Sequence, residues 1–182
     1  MMIHPHPAVV LPCEFRTGRP DDAAAIDRLI TVHAAEGHLL PRQLDELRAR
    51  APQFVVADVD GDVRACAELV PLSARIADVR SLVVAPDMRR HGVATRLVDE
   101  LRERARARGF ASIVALAHDP RFFIRHGFSI VPHEWLPEKI ARDCLNCPLF
   151  RQCGQYAMLL PLQVRQQGTE PPRLRPMIAV AS

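Results

Sequence analysis

Apolar positions along the chain follow two rhythms. Short β-branched or alternating runs predict strands at Glu14-Phe15-Arg16, Phe54 to Ala57, Val63 to Val70, Val79 to Val84 with Asp78 beginning it, Ser112 to Leu116, Phe128 to Ile130, and Tyr156 to Leu160. Between them the spacing changes to that of a helix. Pro20, Asp21 and Asp22 open one whose inner face is Ile26, Leu29, Ile30 and His33. A short helix carries Leu44 and Leu47, after a loop from Gly37 to Arg42. The strongest pattern is Val93, Leu97, Leu101 and Ala105, four apart, with Ala94 and Val98 beside them and Arg and Glu on the other face. Gly109 ends that helix as a C′ glycine. A further short helix is expected from Pro120 to His126.

The punctuation fits this order. Asp60-Gly61 is a two-residue hairpin signal, so three consecutive strands should form a meander. The order predicts a mixed, mostly antiparallel α/β sheet with helices on both sides, closed by the Tyr156 strand. One domain is expected over residues 13–162. Residues 1–12, rich in Pro and His, read as a flexible N-terminal tail, and 163–182, with Gly168, Pro171, Pro172 and Pro176, as a disordered C-terminal tail.

Composition narrows the class. The chain has 182 residues with 48% hydrophobic content, enough for one domain with a full core. A net charge of +3 is small, aromatic residues are few, and no nucleic-acid motif is present, so nucleic acid is not an expected partner. No apolar run reaches membrane-spanning length, so no membrane association is expected. The opening MMIHPHPAVVLP has no Lys or Arg and is broken by proline, which makes a poor signal peptide. Five cysteines is an odd number, and a reducing cytoplasm is the simplest setting. A homodimer is an open alternative for the assembly.

The first chemical signal lies where the Val79 strand meets the Val93 helix. Pro86 stops the strand, and Arg89-Arg90-His91-Gly92-Val93-Ala94 opens the helix. The first N–H groups of a helix have no intrahelical partner, and small residues let an anion approach them. There is no Gly-Lys-Ser/Thr and no Gly-x-Gly-x-x-Gly, so this is neither a P-loop nor a dinucleotide fingerprint. Arg89-x-x-Gly92-x-Ala94 after Leu82-Val83-Val84 resembles the acetyl-CoA loop of the GNAT acetyltransferases. Phe122-Phe123-Ile124-Arg125-His126-Gly127-Phe128 resembles that family's Phe-Phe/Tyr-x-x-x-Gly-Phe segment. The resemblance implies a GNAT fold whose strands after Val79 and Ser112 splay apart to admit pantetheine. It implies acetyl-CoA as co-substrate, bound by Leu82, Val83, Val84, Arg89, Arg90, His91, Gly92, Val93, Ala94 and Thr95. No metal cofactor is expected.

Acetyl transfer to an amine requires that the amine lose its proton, and that an N–H donor face the thioester oxygen as it gains charge. Counted back from the glycine turn, Asp78 sits where several family members place a glutamate, and it is the candidate catalytic base. By parity it should share a sheet face with Arg80 and Leu82. Two alternatives remain open: Asp78 as a strand-entry residue in a turn with Arg75, and Glu68 as the base. The family's usual tyrosine acid is replaced by Phe123, and the only tyrosine is Tyr156.

A narrower resemblance covers Phe15 to Leu162. Gly37-His38-Leu39-Leu40-Pro41-Arg42, Arg80 to Val84, Leu136 to Ile140 and the segment Asp143 to Cys153 all look like the acetyltransferase domain of N-acetylglutamate synthases, here in a short, stand-alone form. It implies transfer to the α-amino group of L-glutamate, in arginine biosynthesis. Arg42 would hold the α-carboxylate, because a guanidinium binds a carboxylate with two parallel hydrogen bonds. Arg80 or Lys139 would meet the side-chain carboxylate. Val70 and Ala117 depart from the relatives' usual Lys/His and Ser/Thr near the expected substrate pocket. Cys144-x-x-Cys147-x5-Cys153 has a first pair with metal-ligand spacing but no obvious fourth ligand. Alternatives to the glutamate enzyme are an acetyltransferase for another amino acid or small amine, and a non-catalytic acetyl-CoA-binding sensor.

Overall fold

The computed structural model describes residues 13–35 and 39–162. Both expected tails, and Gly37 and His38 of the expected loop, lie outside the described residues. Seven strands form one sheet in the order β1-β2-β3-β4-β5-β7-β6. They are β1 (Glu14–Thr17), β2 (Phe54–Val59), β3 (Asp62–Pro71), β4 (Ile76–Val84), β5 (Ser112–Ala117), β6 (Ser129–Val131) and β7 (Tyr156–Pro161). Every pairing is antiparallel except that of β4 with β5. The helices are α1 (Ala23–Ala35), α2 (Leu44–Arg50), α3 (Val93–Ala107), α4 (Arg121–Arg125) and α5 (Pro137–Lys139).

The meander forms as the turn chemistry dictates. Asp60 and Gly61 both take positive φ, 52° and 87°, and the Asp58 carboxylate accepts the Gly61 N–H at 2.7 Å. β4 starts two residues before Asp78, because the β3–β4 turn is tight: Leu72 N donates to Ile76 O at 2.8 Å and carries the pairing out to Pro71 and Ala77. The Tyr156 strand does not close the sheet. It inserts between β5 and β6, which makes β6 the edge.

Two cores sit on opposite faces. One joins Val55, Ala67, Leu69, Ala77 and Val79 to the buried stripe of α3, Val93, Leu97, Val98, Leu101 and Ala105. Gly109 (φ 78°) ends α3, with Phe110 N reaching back to Ala105 O at 3.0 Å. The other joins Val56, Cys66 and Val83 to Ile26 and Ile30 of α1 and Leu47 of α2. His33 departs from its expected place on the inner face of α1: it is half-buried and lies 3.4 Å from an Arg89 Nη.

Gly18 is where chain approach leaves no room. Its N–H donates to Phe54 O at 3.0 Å, and a Cβ there would stand 2.5 Å from Ala51 O and 3.2 Å from Phe54 Cβ. The close atom is backbone and cannot swing aside. Gly18→Ala should therefore cost about 1–3 kcal/mol, read as a lower denaturation midpoint. An unchanged midpoint would mean that β1 shifts freely over the β2 entry.

Candidate active site

The ladder between β4 and β5 runs from Ile76–Ser112 to Val79–Ala115 and stops, while β4 continues to Val84. The two strands part there, and the sheet opens beside Arg80–Val84. A bulge marks the same place. Glu68 pairs with Arg80 and Cys66 with Val83, so β4 carries an extra residue against β3. Ser81 supplies it, with φ 48°, and its carbonyl accepts from the Cys66 thiol at 3.6 Å. Burial pushes that thiol up to about 12, so Cys66 is a packing group and not a nucleophile.

The bulge corrects the expected shared face. Asp78 and Arg80 stay on the face of Val70 and Glu68, but the extra residue turns Leu82 and Val84 to the α3 side and Val83 to the α1 side. Parity alone placed Leu82 with Asp78 because it assumed an unbroken strand.

Beyond β4 the chain makes a tight turn at Pro86–Met88. Arg90 and Gly92 follow with positive φ, 64° and 77°, and Gly92 caps α3. The first intrahelical bond of α3 runs from Arg96 N to Gly92 O at 3.0 Å, so the N–H groups of Val93, Ala94 and Thr95 lie ahead of the ladder. A Cβ on Gly92 would meet nothing within 4 Å, so the turn is uncrowded at that residue. This cradle suits a diphosphate. Arg89 Nε donates to Val84 O at 3.3 Å and ties the turn to the strand end.

A residue that sequence reasoning did not place here is His126. Its Nδ1 lies 2.8 Å from Phe122 O, its Nε2 lies 3.0 Å from the Thr95 hydroxyl, and its ring stacks on Phe122 at 4.3 Å. A carbonyl only accepts, so Nδ1 carries the proton, and in the neutral ring Nε2 accepts from Thr95. The four-residue spacing from Phe122 was the available signal. Phe123 and Phe128 are buried against the α3 core.

On the opposite face the expected substrate and proton groups gather in two clusters. In the first, Asp78 has a side chain only 1% exposed, and its Oδ2 accepts from Arg80 Nε at 2.7 Å and Lys139 Nζ at 2.6 Å. Asp143 holds both cations from the other side, through Arg80 Nη2 and, at 3.1 Å, Lys139 Nζ. Arg75 is not the partner of Asp78; Arg80 and Lys139 are. The other oxygen, Oδ1, is buried and has no hydrogen-bond partner among the described residues. In the second cluster Glu68 is fully buried, with Oε2 taken by Arg42 Nη1 at 2.8 Å and Oε1 by Arg50 Nε at 2.6 Å. Arg42 Nη2 donates to Glu46 at 2.6 Å, and Nη1 reaches the Ser81 hydroxyl at 3.4 Å. Burial pulls the Arg42 pKa down, but hydrogen bonds to Glu46 and Glu68 carry it above the ordinary arginine value. The first cluster reaches the sheet from α5 and the turn after it, the second from the approach to α2, and the Glu68–Arg80 strand pair joins them.

Val70 lies opposite Asp78 in the β3–β4 ladder, and Ala117 pairs with Tyr156 at the far end of β5. Cys144 follows Asp143 directly, and Cys147 and Cys153 come after it. Cys147 N donates to Cys144 O at 3.0 Å, and all five thiols of the chain are free. Among the described residues, no group of three or more His, Cys, Asp or Glu is arranged to hold a metal ion. No helix among them is long and apolar enough to cross a membrane.

A parallel pair that splays, a bulged strand at the opening and a glycine-capped helix beyond it match the fold that the resemblance in the sequence implies. Residues 22–128 match the Acetyltransferase (GNAT) family, and the chain belongs to that family. It is an acetyltransferase, with acetyl-CoA as co-substrate. It is 33% identical over 147 residues to an uncharacterized N-acetyltransferase of Chlorobaculum tepidum, covering 81% of this chain and 95% of that one. It is 32% identical over 117 residues to an amino-acid acetyltransferase of Mycobacterium tuberculosis, covering 63% of this chain and 67% of that one. Among solved structures, a Mycobacterium tuberculosis protein in complex with CoA and NLQ superposes with a TM-score of 0.70 at 28% identity, over 82% of this chain and 99% of that one. N-acetylglutamate synthase from Neisseria gonorrhoeae, complexed with coenzyme A and N-acetyl-glutamate, shares the fold with a TM-score of 0.75 at 24% identity. This chain covers 35% of that protein and 82% of itself in the match.

Proposed function

We propose that this protein moves an acetyl group from acetyl-CoA to the α-amino group of L-glutamate, forming N-acetyl-L-glutamate for arginine biosynthesis. The observation that carries the reading is the buried Asp78 carboxylate. One oxygen is fixed by two cations and the other is unpartnered among the described residues, on a face where Arg42, Arg80 and Lys139 converge beside the opening of β4. A buried oxygen without a partner is costly, and an ammonium or amine N–H supplies what it lacks. Asp78 accepts or relays the amine proton. Arg42 holds the α-carboxylate, and Arg80 or Lys139 the side-chain carboxylate. The N–H groups at the start of α3, with the turn Arg89–Gly92, hold the diphosphate, and the β4 backbone at Leu82–Val84 lines the pantetheine arm. The named activity of the mycobacterial relative supports an amino acid as acceptor; glutamate is the amino acid whose acetylated form the gonococcal protein of the same fold is complexed with. Five free thiols suit a reducing cytoplasm.

A thiol-release assay with purified protein, acetyl-CoA and a panel of amino acids tests the reading. L-glutamate should give the highest kcat/KM. A higher value for another acid would reassign the acceptor, and no release with any amine would leave a protein that binds acetyl-CoA without transferring it.

Arg42 tests the carboxylate assignment separately. A carboxylate held before and during the reaction contributes uniform binding, so Arg42→Ala should raise the KM for glutamate by about 10- to 100-fold with a smaller change in kcat. Arg42→Lys should recover only part, since it keeps the charge and loses the fork. Untouched glutamate kinetics in Arg42→Ala would show that the carboxylate is held elsewhere.

A further inference from the structure

The cluster around Arg42 contains a carboxylate that the chemistry above does not use. Arg42 divides its guanidinium between two acids of different character. Glu68 is fully buried and both its oxygens are engaged, so it is a fixed counter-ion. Glu46 has a side chain 46% exposed and touches Arg42 through the nitrogen that Glu68 leaves, Nη2, at 2.6 Å. Arg50 Nε stands 4.0 Å from the same Glu46 oxygen. The hydrogen bond from Arg42, then the charges of Arg42, Arg50 and Arg80, hold the Glu46 carboxyl below its usual value. One half-exposed carboxylate in the field of three guanidinium groups has the surroundings that an incoming carboxylate needs.

We infer that in the free protein Glu46 occupies the place of the amino acid's α-carboxylate, and that it sets acceptor affinity by competing for Arg42. The inference rests on the role of Arg42 proposed above. Charge explains why the exchange is one for one. Arg42 and Arg50 balance Glu68 and Glu46; a second free carboxylate would leave the cluster net negative, whereas one that replaces Glu46 leaves it neutral. Solvation explains why Glu46 is the acid that moves. It regains water when it swings out, while Glu68, inside the sheet, cannot. Glu46 is thus a specificity-determining residue that favours acceptors able to displace it and excludes amines without a carboxylate from the cation it covers.

The test compares the protein with its Glu46→Gln and Glu46→Ala variants, using L-glutamate and its α-carboxamide as acceptors in the thiol-release assay. Both variants should lower the KM for L-glutamate roughly fivefold, the factor that corresponds to an exposed ion pair of about 1 kcal/mol. The kcat should stay within about twofold, and the KM for the α-carboxamide should move clearly less, because a neutral carboxamide gains less from the uncovered charge of Arg42. Calorimetric titration of L-glutamate into the CoA-bound protein should show the same tightening. A prop for Arg42 behaves in the opposite way: the KM for L-glutamate would rise, more in Glu46→Ala than in Glu46→Gln, and that result overturns the inference. Equal shifts for both acceptors overturn it as well. If L-glutamate binds but is not acetylated, the proposed reaction fails while the calorimetric comparison still decides the role of Glu46. If L-glutamate gives no heat with any of the three proteins, both readings fall.

Discussion

Asp78→Asn should lower kcat by about 10²- to 10³-fold, the range expected when a positioned proton acceptor is lost. The KM for glutamate should change less, and the residual rate should climb with pH, because only the free amine then reacts. The structure explains why Asp78 and not Glu68 is the group to remove. Both are fully buried on one face of the sheet, but Glu68 spends its two oxygens on Arg42 and Arg50, while Asp78 keeps Oδ1 without a partner. With both oxygens engaged, Glu68 has none left to meet an amine N–H, and Glu68→Gln should act on stability first. Asp78→Asn has a structural cost too. Arg80 and Lys139 lose the anion they share and are left with Asp143, which should lower stability by about 3 kcal/mol. The two effects are read separately, by a denaturation curve and by kinetics below its onset. If Asp78→Asn keeps full kcat across the pH range, water handles the proton alone and Asp78 serves only to hold Arg80 and Lys139.

Gly92→Glu should weaken acetyl-CoA binding by well over tenfold, or more than about 1.4 kcal/mol. Gly92 takes φ 77°, and a Cβ there would meet nothing within 4 Å. A glutamate there has room, and it brings a negative charge to the helix start where the diphosphate is proposed to lie. The strain of a left-handed non-glycine residue costs about 1 kcal/mol, partly offset by a negative charge at a helix start, so the fold should hold. Gly92→Ala supplies the strain without the charge and should keep affinity within a few-fold. Calorimetry with acetyl-CoA distinguishes the two. Unchanged affinity in Gly92→Glu would remove the diphosphate from this turn.

Much of the fold was legible along the chain because its signals are local. The four-residue stripe from Val93 to Ala105, the Gly109 stop, the Asp60-Gly61 turn and the β-branched strand after Asp78 each follow from spacing or from φ preferences within a few residues. The cradle at Gly92 was legible for the same reason: a strand, a small-residue turn and a helix start are consecutive. Arg42, Glu68, Asp78, Arg80 and Lys139 could be picked out by type and by resemblance, although they come from four stretches of the chain; Glu46, Arg50 and Asp143, which pair with them, could not.

Their partnerships could not. That Asp78 is gripped by Lys139 from 61 positions away, and Glu68 by Arg42 from 26, depends on how α2 and α5 reach the sheet, and no local pattern encodes that. The bulge is the sharpest case. One extra residue at Ser81, visible only as a register shift against β3, sends Leu82 to the opposite face and opens β4 where it leaves β5. His33, placed in the core by period, instead meets Arg89 at the glycine turn. The sequence by itself determined the elements and the glycine turn that opens α3, because short-range sterics and burial periodicity act on neighbours in the chain. Tertiary structure alone decided which charges neutralise one another and which carboxylate oxygen is left free, because Coulomb energy and desolvation depend on distance through space, and the chain brings remote residues to that distance only when it folds.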